Sequence, residues 1–409
     1  MDSKRKIIND PVFGFINIPD EFILRIINHP YVQRLTRIRQ LGLAFYVYPG
    51  AVHSRFHHSL GAMHLMSEAI SQLRSNGHPV SDEEKSGAMA CILMHDIGHG
   101  PFSHVLENTL VNGIHHEEIS LLLMNRMNRE MNGQLDLAIN IFKDKYPKRF
   151  LHQLVSGQLD VDRLDYLSRD SFFTGVTEGN IGSARIIKML NLKNDKLVIE
   201  AKGIYSIENF LMARRLMYWQ VYLHKTAVAA ENMLINTLQR AKYLASKGLE
   251  LNVTPALHYF LYNQIDKSFF ENNPEPLDFF VELDDNDIWC ALKAWEKHQD
   301  KVLSLLSRGL LNRNLFKIEM SSKPVSPDTI MEKTAMYAKI YGLSLEDAAY
   351  LLSYNTIATD MYSEKDDSID ILYKDGTIKD ISNASDMLNI QLLSKKIVKY
   401  YLCFLRDSK

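Results

Sequence analysis

A chain of 409 residues with 46% hydrophobic and 23% charged residues has the make-up of an ordinary globular protein, long enough for two or three domains or one large core with an appended unit. A formal net charge of −2 excludes wholesale electrostatic binding to nucleic acid or an anionic membrane, so an anionic ligand needs a local cluster of Arg and Lys. No apolar run approaches a transmembrane span, MDSKRKIIND lacks a signal-peptide core, and Cys91, Cys290 and Cys403 have neither disulfide-framework nor zinc-finger spacing, so a reducing, cytoplasmic location is expected.

Along the chain, residues 20–41 carry apolar positions at mixed three and four spacing interrupted by Pro30, which predicts two short helices. The Pro49-Gly50 turn precedes an amphipathic stretch from Ser54 to Leu73. Residues 82–95 open on acidic residues, as helix N-termini do, and become wholly apolar, which predicts a buried helix. Gly98, Gly100 and Pro101 then break regularity. More helix is predicted from about 115 to 170, a hairpin over 189–199 around Asn194-Asp195, and one long helix over 204–246. After about 250 the character shifts. Helical segments at 287–307 and 327–353 alternate with an extended piece at 315–320, and 369–381 reads as a hairpin around Asp375-Gly376. The expected fold is mainly α: a helical core over 1–250 and a smaller α+β part over 251–409 that serves packing, oligomerisation or regulation.

Histidine departs from this ordinary picture. Ten of the fifteen histidines fall between residues 53 and 116, where even spreading would put about two or three. His95-Asp96 ends the apolar helix, immediately before the Gly-rich break. A carboxylate beside an imidazole in apolar surroundings is costly unless a divalent cation compensates it. Such a donor pair suits Mn, Fe, Zn, Co or Ni better than calcium. An isolated HD dipeptide is better explained by a histidine at a helix C-terminus, so the neighbouring stretches decide. HDIGHGPFSH is preceded by RFHHSLG and followed by DVDRLDYLSRD, and His58 and Asp162 would complete a set of two imidazoles and two carboxylates.

These three stretches resemble the HD-domain phosphohydrolases, and within them the deoxynucleoside triphosphate triphosphohydrolases. The resemblance runs from about residue 8 to about 320 and includes RNLFK at 313–317. It implies a helical HD-domain core, a divalent ion (Mn, Fe, Mg, Zn, Co or Ni) held by His58, His95, Asp96 and Asp162, a deoxynucleoside triphosphate as substrate, and a homo-oligomer. His57 stands where the motif commonly has Glu and is not expected to bind metal; with His53 and His64 it reads as a surface or packing histidine.

A triphosphate calls for forked cationic donors. Arg55 lies one turn before His58, Arg163 follows Asp162, and Arg214 falls where the resembling enzymes also have Arg. His116-Glu117 is a second candidate acid/base pair, but the resemblance implies His104 as the general acid, with Glu107 three residues on to orient it and His99 and His116 near the phosphate. Asp162, Tyr166 and Asp170 recur every four residues and so share a helix face. The resemblance puts Tyr166 and Asp170 at the sugar, Asp170 at its 3′ hydroxyl, and Gln40-Leu41 at the sugar with Leu41 crowding out a 2′ hydroxyl. Tyr222 is a further candidate there. Asn28 and Thr36 stand where nucleotide-activated members carry an acid and an Arg, which argues against an activating site of that design. Cys91 reads as a small buried residue. Two rival readings remain at this level: the same metal centre acting on another nucleotide, phosphomonoester or phosphodiester, and a nucleotide-binding sensor without turnover.

Overall fold

The structure is a computed structural model that describes residues 6–102, 105, 109–111, 113–359, 368–386 and 397–406. The protein is mainly α. Its first residues form a hairpin, Lys6–Asp10 with Gly14–Ile18. The two short helices predicted for 20–41 are Glu21–Ile27, capped by Asp20, and Pro30–Arg34, where Pro30 takes the first turn that tolerates a missing N–H.

Three helices position the site. Arg55–Ser75 begins at a capping box in which Ser54 and His57 satisfy each other's orphan groups. Asp82–Met94 begins at a second box made by Ser81 and Glu84, and nine of its residues are buried. Val161–Thr174 begins at Asp160, whose side chain accepts from the Arg163 N–H, and stops at Gly175, which takes the left-handed conformation (φ +74°) of a C-terminal cap. The first of these helices packs against both others. Gly61 allows the closest approach: a Cβ there would lie 1.9 Å from Asp165 Oδ1 and 2.1 Å from Arg169 Nη2.

The helix predicted over 204–246 is broken. Ile204–Met217 runs into a π-turn, Tyr218–Tyr222, and a new helix, Lys225–Ser246, starts where His224 accepts from the Thr226 N–H. The apolar periodicity continues across the break, which hides it from the sequence pattern. Two further segments are also shorter than predicted. The 287–307 segment divides into Asp285–Trp295 and Lys301–Leu311, the second capped by Asp300, and the helix opening the 327–353 segment stops at Tyr341 before a left-handed Gly342 (φ +60°).

Both predicted hairpins form, with Asn194 and Asp195 at φ +53° and +58° in the first. They join in one sheet, Lys196–Glu200 lying parallel to Asp370–Leu372. A second sheet orders Lys317–Ser321, Ile397–Phe404 and Leu352–Thr359. One apolar cluster extends from Ile16 to Leu405. No helix among the described residues is long and apolar enough to cross a membrane.

Candidate metal centre and adjoining cavity

The Arg55–Ser75, Asp82–Met94 and Val161–Thr174 helices bring His58, His95, Asp96 and Asp162 together. His58 Nε2 lies 3.0 Å from Asp162 Oδ1 and 3.8 Å from Asp96 Oδ2, and His95 Nε2 lies 3.4 Å from Asp162 Oδ1 and 3.3 Å from Asp96 Oδ1. Adjacent residues inside a helix point about 100° apart. His95 and Asp96 stand at the very end of the helix, His95 as its cap residue, and there their side chains come within 3.3 Å of each other.

The opposite ring nitrogens are engaged: His58 Nδ1 is 2.7 Å from Asp165 Oδ2, and His95 Nδ1 is 2.6 Å from the Ile92 carbonyl oxygen. Both Nε2 atoms are therefore aimed inward, buried and without a hydrogen-bond partner; the short approach to Asp162 is misaligned. Two buried imidazole nitrogens lacking a partner, gathered with the Asp162 carboxylate, are a donor set that a divalent transition metal takes; Asp96 borders both histidines and also gathers with His99 and His116.

The electrostatics agree. Burial alone would raise Asp96, but His95, His99 and Arg55 hold its carboxyl well below the usual range. Asp162 is likewise held low by His58 and His95 against its burial. Burial pulls His58 down, yet the Asp162 and Asp165 carboxylates outweigh it and hold the imidazole at about 10. The cluster binds positive charge where a cation would sit.

Behind His58 is a buried chain of charges that the sequence reading missed. Arg169 donates from Nε and Nη2 to Asp165 and from Nη1 to Asp10 Oδ2 (2.7 Å). Asp165 and Arg169 stand in the quoted DVDRLDYLSRD at ion-pair spacing, which was the available signal; nothing local identified Asp10 or Gly61. Ser120 supports the other side. Its Oγ donates to the His95 carbonyl oxygen and accepts from Gly98 N–H, and a Cβ on Gly98 would meet the His116 carbonyl oxygen at 2.1 Å.

His99 Nε2 lies 3.3 Å from Asp96 Oδ1, and its ring stacks on His116 with centroids 3.9 Å apart. Burial, with Arg55 alongside, drives His99 down to about 3. Glu117 is exposed on the first turn of the His116–Glu130 helix. His104 and Glu107 lie outside the described residues.

Arg55 is buried, donates from Nη1 to Asp96 Oδ2 at 2.5 Å, and also lines a cavity of about 340 Å³. The same cavity is lined by Gln40, Leu41, Tyr166, Asp170 and Tyr222. Gln40 Oε1 is buried there without a hydrogen-bond partner. Asp170 takes Tyr222 OH on one oxygen and His53 Nε2 on the other, both at 2.8 Å. His53, read as a packing histidine, does stack on Phe173 (4.4 Å between centroids), but it also makes this polar contact. His57 is exposed and serves the helix cap, and His64 packs near Phe13.

Arg163 and Arg214 both lie close enough to Tyr166 to act on its phenol electrostatically, although burial dominates and pushes that phenol up to about 12. Arg163 pairs with Asp160 at 3.6 Å, and Arg214 donates to Gln158 Oε1 at 3.2 Å. Cys91 is fully buried.

Known proteins match the same segments. The HD domain family matches residues 55–170, the span from Arg55 to Asp170, and the HD associated region matches residues 181–251. An uncharacterized Bacillus subtilis protein, YwfO, is 30% identical over 99% of this chain and 93% of its own length. The chain belongs to the HD-domain phosphohydrolase superfamily. Within this superfamily its relatives include a Dictyostelium discoideum protein described as a deoxynucleoside triphosphate triphosphohydrolase SAMHD1 homolog, 29% identical over 58% of this chain and 49% of that one. A crystal structure of a phosphohydrolase from Bacteroides thetaiotaomicron superposes with a TM-score of 0.96 at 67% identity, covering 98% of this chain and 100% of that one.

Proposed function

We propose that this HD-domain protein hydrolyses deoxynucleoside triphosphates to deoxynucleoside and inorganic triphosphate, using a divalent ion held by His58, His95, Asp96 and Asp162. The observation that carries the reading is the continuity of the two sites. Arg55 contacts the ligand-type carboxylate of Asp96 and forms part of the cavity wall that carries Gln40, Leu41, Tyr166, Asp170 and Tyr222. This adjacency supports a substrate with its phosphate at the cluster and its sugar in that cavity. The triphosphohydrolase relatives and the resemblance at all three motifs support the choice of substrate.

Bound there, the ion would supply Lewis acidity to a phosphate oxygen and acidify a water. Hydrolysis adds a water oxygen to the α-phosphorus and breaks the bond from phosphorus to the 5′ oxygen, which leaves with a proton. Arg55 is oriented by Asp96 to neutralise charge at the α-phosphate, and Arg163 and Arg214 lie on the Tyr166 side for the rest of the chain. His99 and His116, stacked beside Asp96, serve the phosphate, and the family resemblance assigns the proton to His104, with Glu107 three residues on in the sequence. Asp170 and Gln40 hold the sugar hydroxyl, with Leu41 as the apolar wall against a 2′ oxygen.

Incubation of the purified protein with Mn²⁺ and each dNTP, followed by ion-exchange separation, should yield triphosphate and deoxynucleoside. Pyrophosphate with monophosphate, or no turnover of any dNTP, would refute the proposal. Asp96→Ala should abolish turnover and strip the metal.

A further inference from the structure

Asp170 sits in the cavity wall with its carboxylate fixed from two directions, and the less obvious of the two anchors is His53. Its side chain is fully buried, and its Nε2 is 2.8 Å from Asp170 Oδ1. One face of the ring stacks on Phe173, with an interplanar angle of 16°, so it cannot swing away without losing that contact. The residue's main chain reaches the opposite wall. The His53 carbonyl oxygen accepts from Gln40 N–H at 3.0 Å, Arg55 N–H donates to the Ile38 carbonyl oxygen at 2.9 Å, and Ser54 bridges to Arg39. One residue thus ties the Gln40-Leu41 wall by its backbone to the Asp170 wall by its side chain.

We infer that His53 is a positioning residue that sets sugar recognition by aiming the Asp170 carboxylate at the substrate's 3′ hydroxyl. A carboxylate offers about four lone-pair sites. His53 and Tyr222 take one on each oxygen, and the orientation they impose leaves the remaining sites to a donor in the cavity. His53 touches no substrate in this arrangement; it acts through Asp170. This inference rests on the deoxynucleotide reading above.

The test compares each dNTP with its 2′,3′-dideoxy counterpart, which lacks only the hydroxyl that Asp170 would read. The wild-type protein should prefer the dNTP in kcat/KM. His53→Leu, which keeps bulk and loses the donor, should lower kcat/KM for the dNTP about tenfold while changing the dideoxy value little, so that the preference collapses. His53→Asn, whose amide is too short to reach the carboxylate, should behave the same way. His53→Gln places an amide nitrogen about where Nε2 lies and should restore the preference. Thermal midpoints identify which variants are folded, and either Leu or Asn suffices for the comparison.

Equal losses for both substrates in a folded variant would overturn the inference, as would an unchanged preference or a wild-type protein indifferent to the 3′ hydroxyl. Wild-type protein that turns over no dNTP would refute the functional reading itself, and the inference with it.

Discussion

His58 can offer Nε2 to the cluster only because Asp165 holds Nδ1, and Asp165 is itself held by Arg169 against Asp10. A ligand's outer partner fixes the tautomer and raises the basicity of the ligating nitrogen. Asp165→Asn keeps the size but removes the charge that faces Arg169. It should weaken metal affinity about 10- to 100-fold, with little change in KM once metal is saturating. Isothermal titration with Mn²⁺ and metal analysis of the dialysed protein would check this. Unchanged affinity would mean that His58 is oriented by packing alone. RFHHSLG and the HD pair were legible as ligand chemistry because residue type and local context sufficed. Asp165 was not singled out, since a third acid on the same helix turn looks like any i,i+4 ion pair until its partner across the interface is known.

At the level of elements, the site is an intersection of three helices, and their spacing depends on Gly61. The Arg55–Ser75 helix could accept alanine there on propensity alone, since glycine is the poorer helix former. The obstruction is across the interface: the new Cβ would meet the Asp165 and Arg169 side chains, both buried and bonded to each other. Gly61→Ala should therefore destabilise the protein by about 1–3 kcal/mol, measured as a denaturant midpoint. The shift should persist in excess chelator, which separates strained packing from loss of metal. The start of the Asp82–Met94 helix was legible in its acidic first turn, whereas the start at Asp160 was not separated from the helix predicted over about 115 to 170. The break at Leu223-His224 was not, because the apolar positions on either side keep helical spacing and the π-turn over Tyr218–Tyr222 changes phase without changing composition. That turn brings Tyr222 to Asp170, so the least legible element is also one that shapes the cavity.

Across the whole molecule, the segments beyond residue 250 reach back to the site. Asp285 accepts the N–H groups of Arg39 and Phe102, and Trp289 packs edge-on against the Phe102 ring. Phe102 lines the cavity with φ at +53°, a strained backbone for a residue with a side chain, held here by those contacts. Farther out, Arg240 of the Lys225–Ser246 helix donates to Asp300 and Asp347 and so joins three elements. These groups are partly buried, so Arg240→Leu should cost about 2 kcal/mol, between the limits for exposed and buried ion pairs.

The same network carries a pH signature. Burial would raise the Asp300 carboxyl, but Arg240 and the Leu303 N–H outweigh it and hold it below its ordinary value of 3.8. A carboxylate with a lowered folded pKa binds fewer protons when folded than when unfolded. Its stabilisation is complete above the unfolded value and is lost as pH falls below about 4 through the folded one. Thermal midpoints between pH 6 and pH 3 should therefore fall more steeply in the wild-type protein than in the Arg240→Leu variant; parallel profiles would exclude the network as a source of acid sensitivity.

The sequence by itself determined the chemistry: which imidazoles and carboxylates were available, that they bordered a buried helix and a Gly-rich break, and that the whole belongs with metal-using hydrolases. Those properties are local, set by residue type and by neighbours within a turn or two. Tertiary structure alone decided which groups became partners. His53 reaches across 117 positions to Asp170, Arg169 across 159 to Asp10, and Arg39 across 246 to Asp285. Contacts at such separations leave no periodic trace, because they depend on how helices pack rather than on how each one forms.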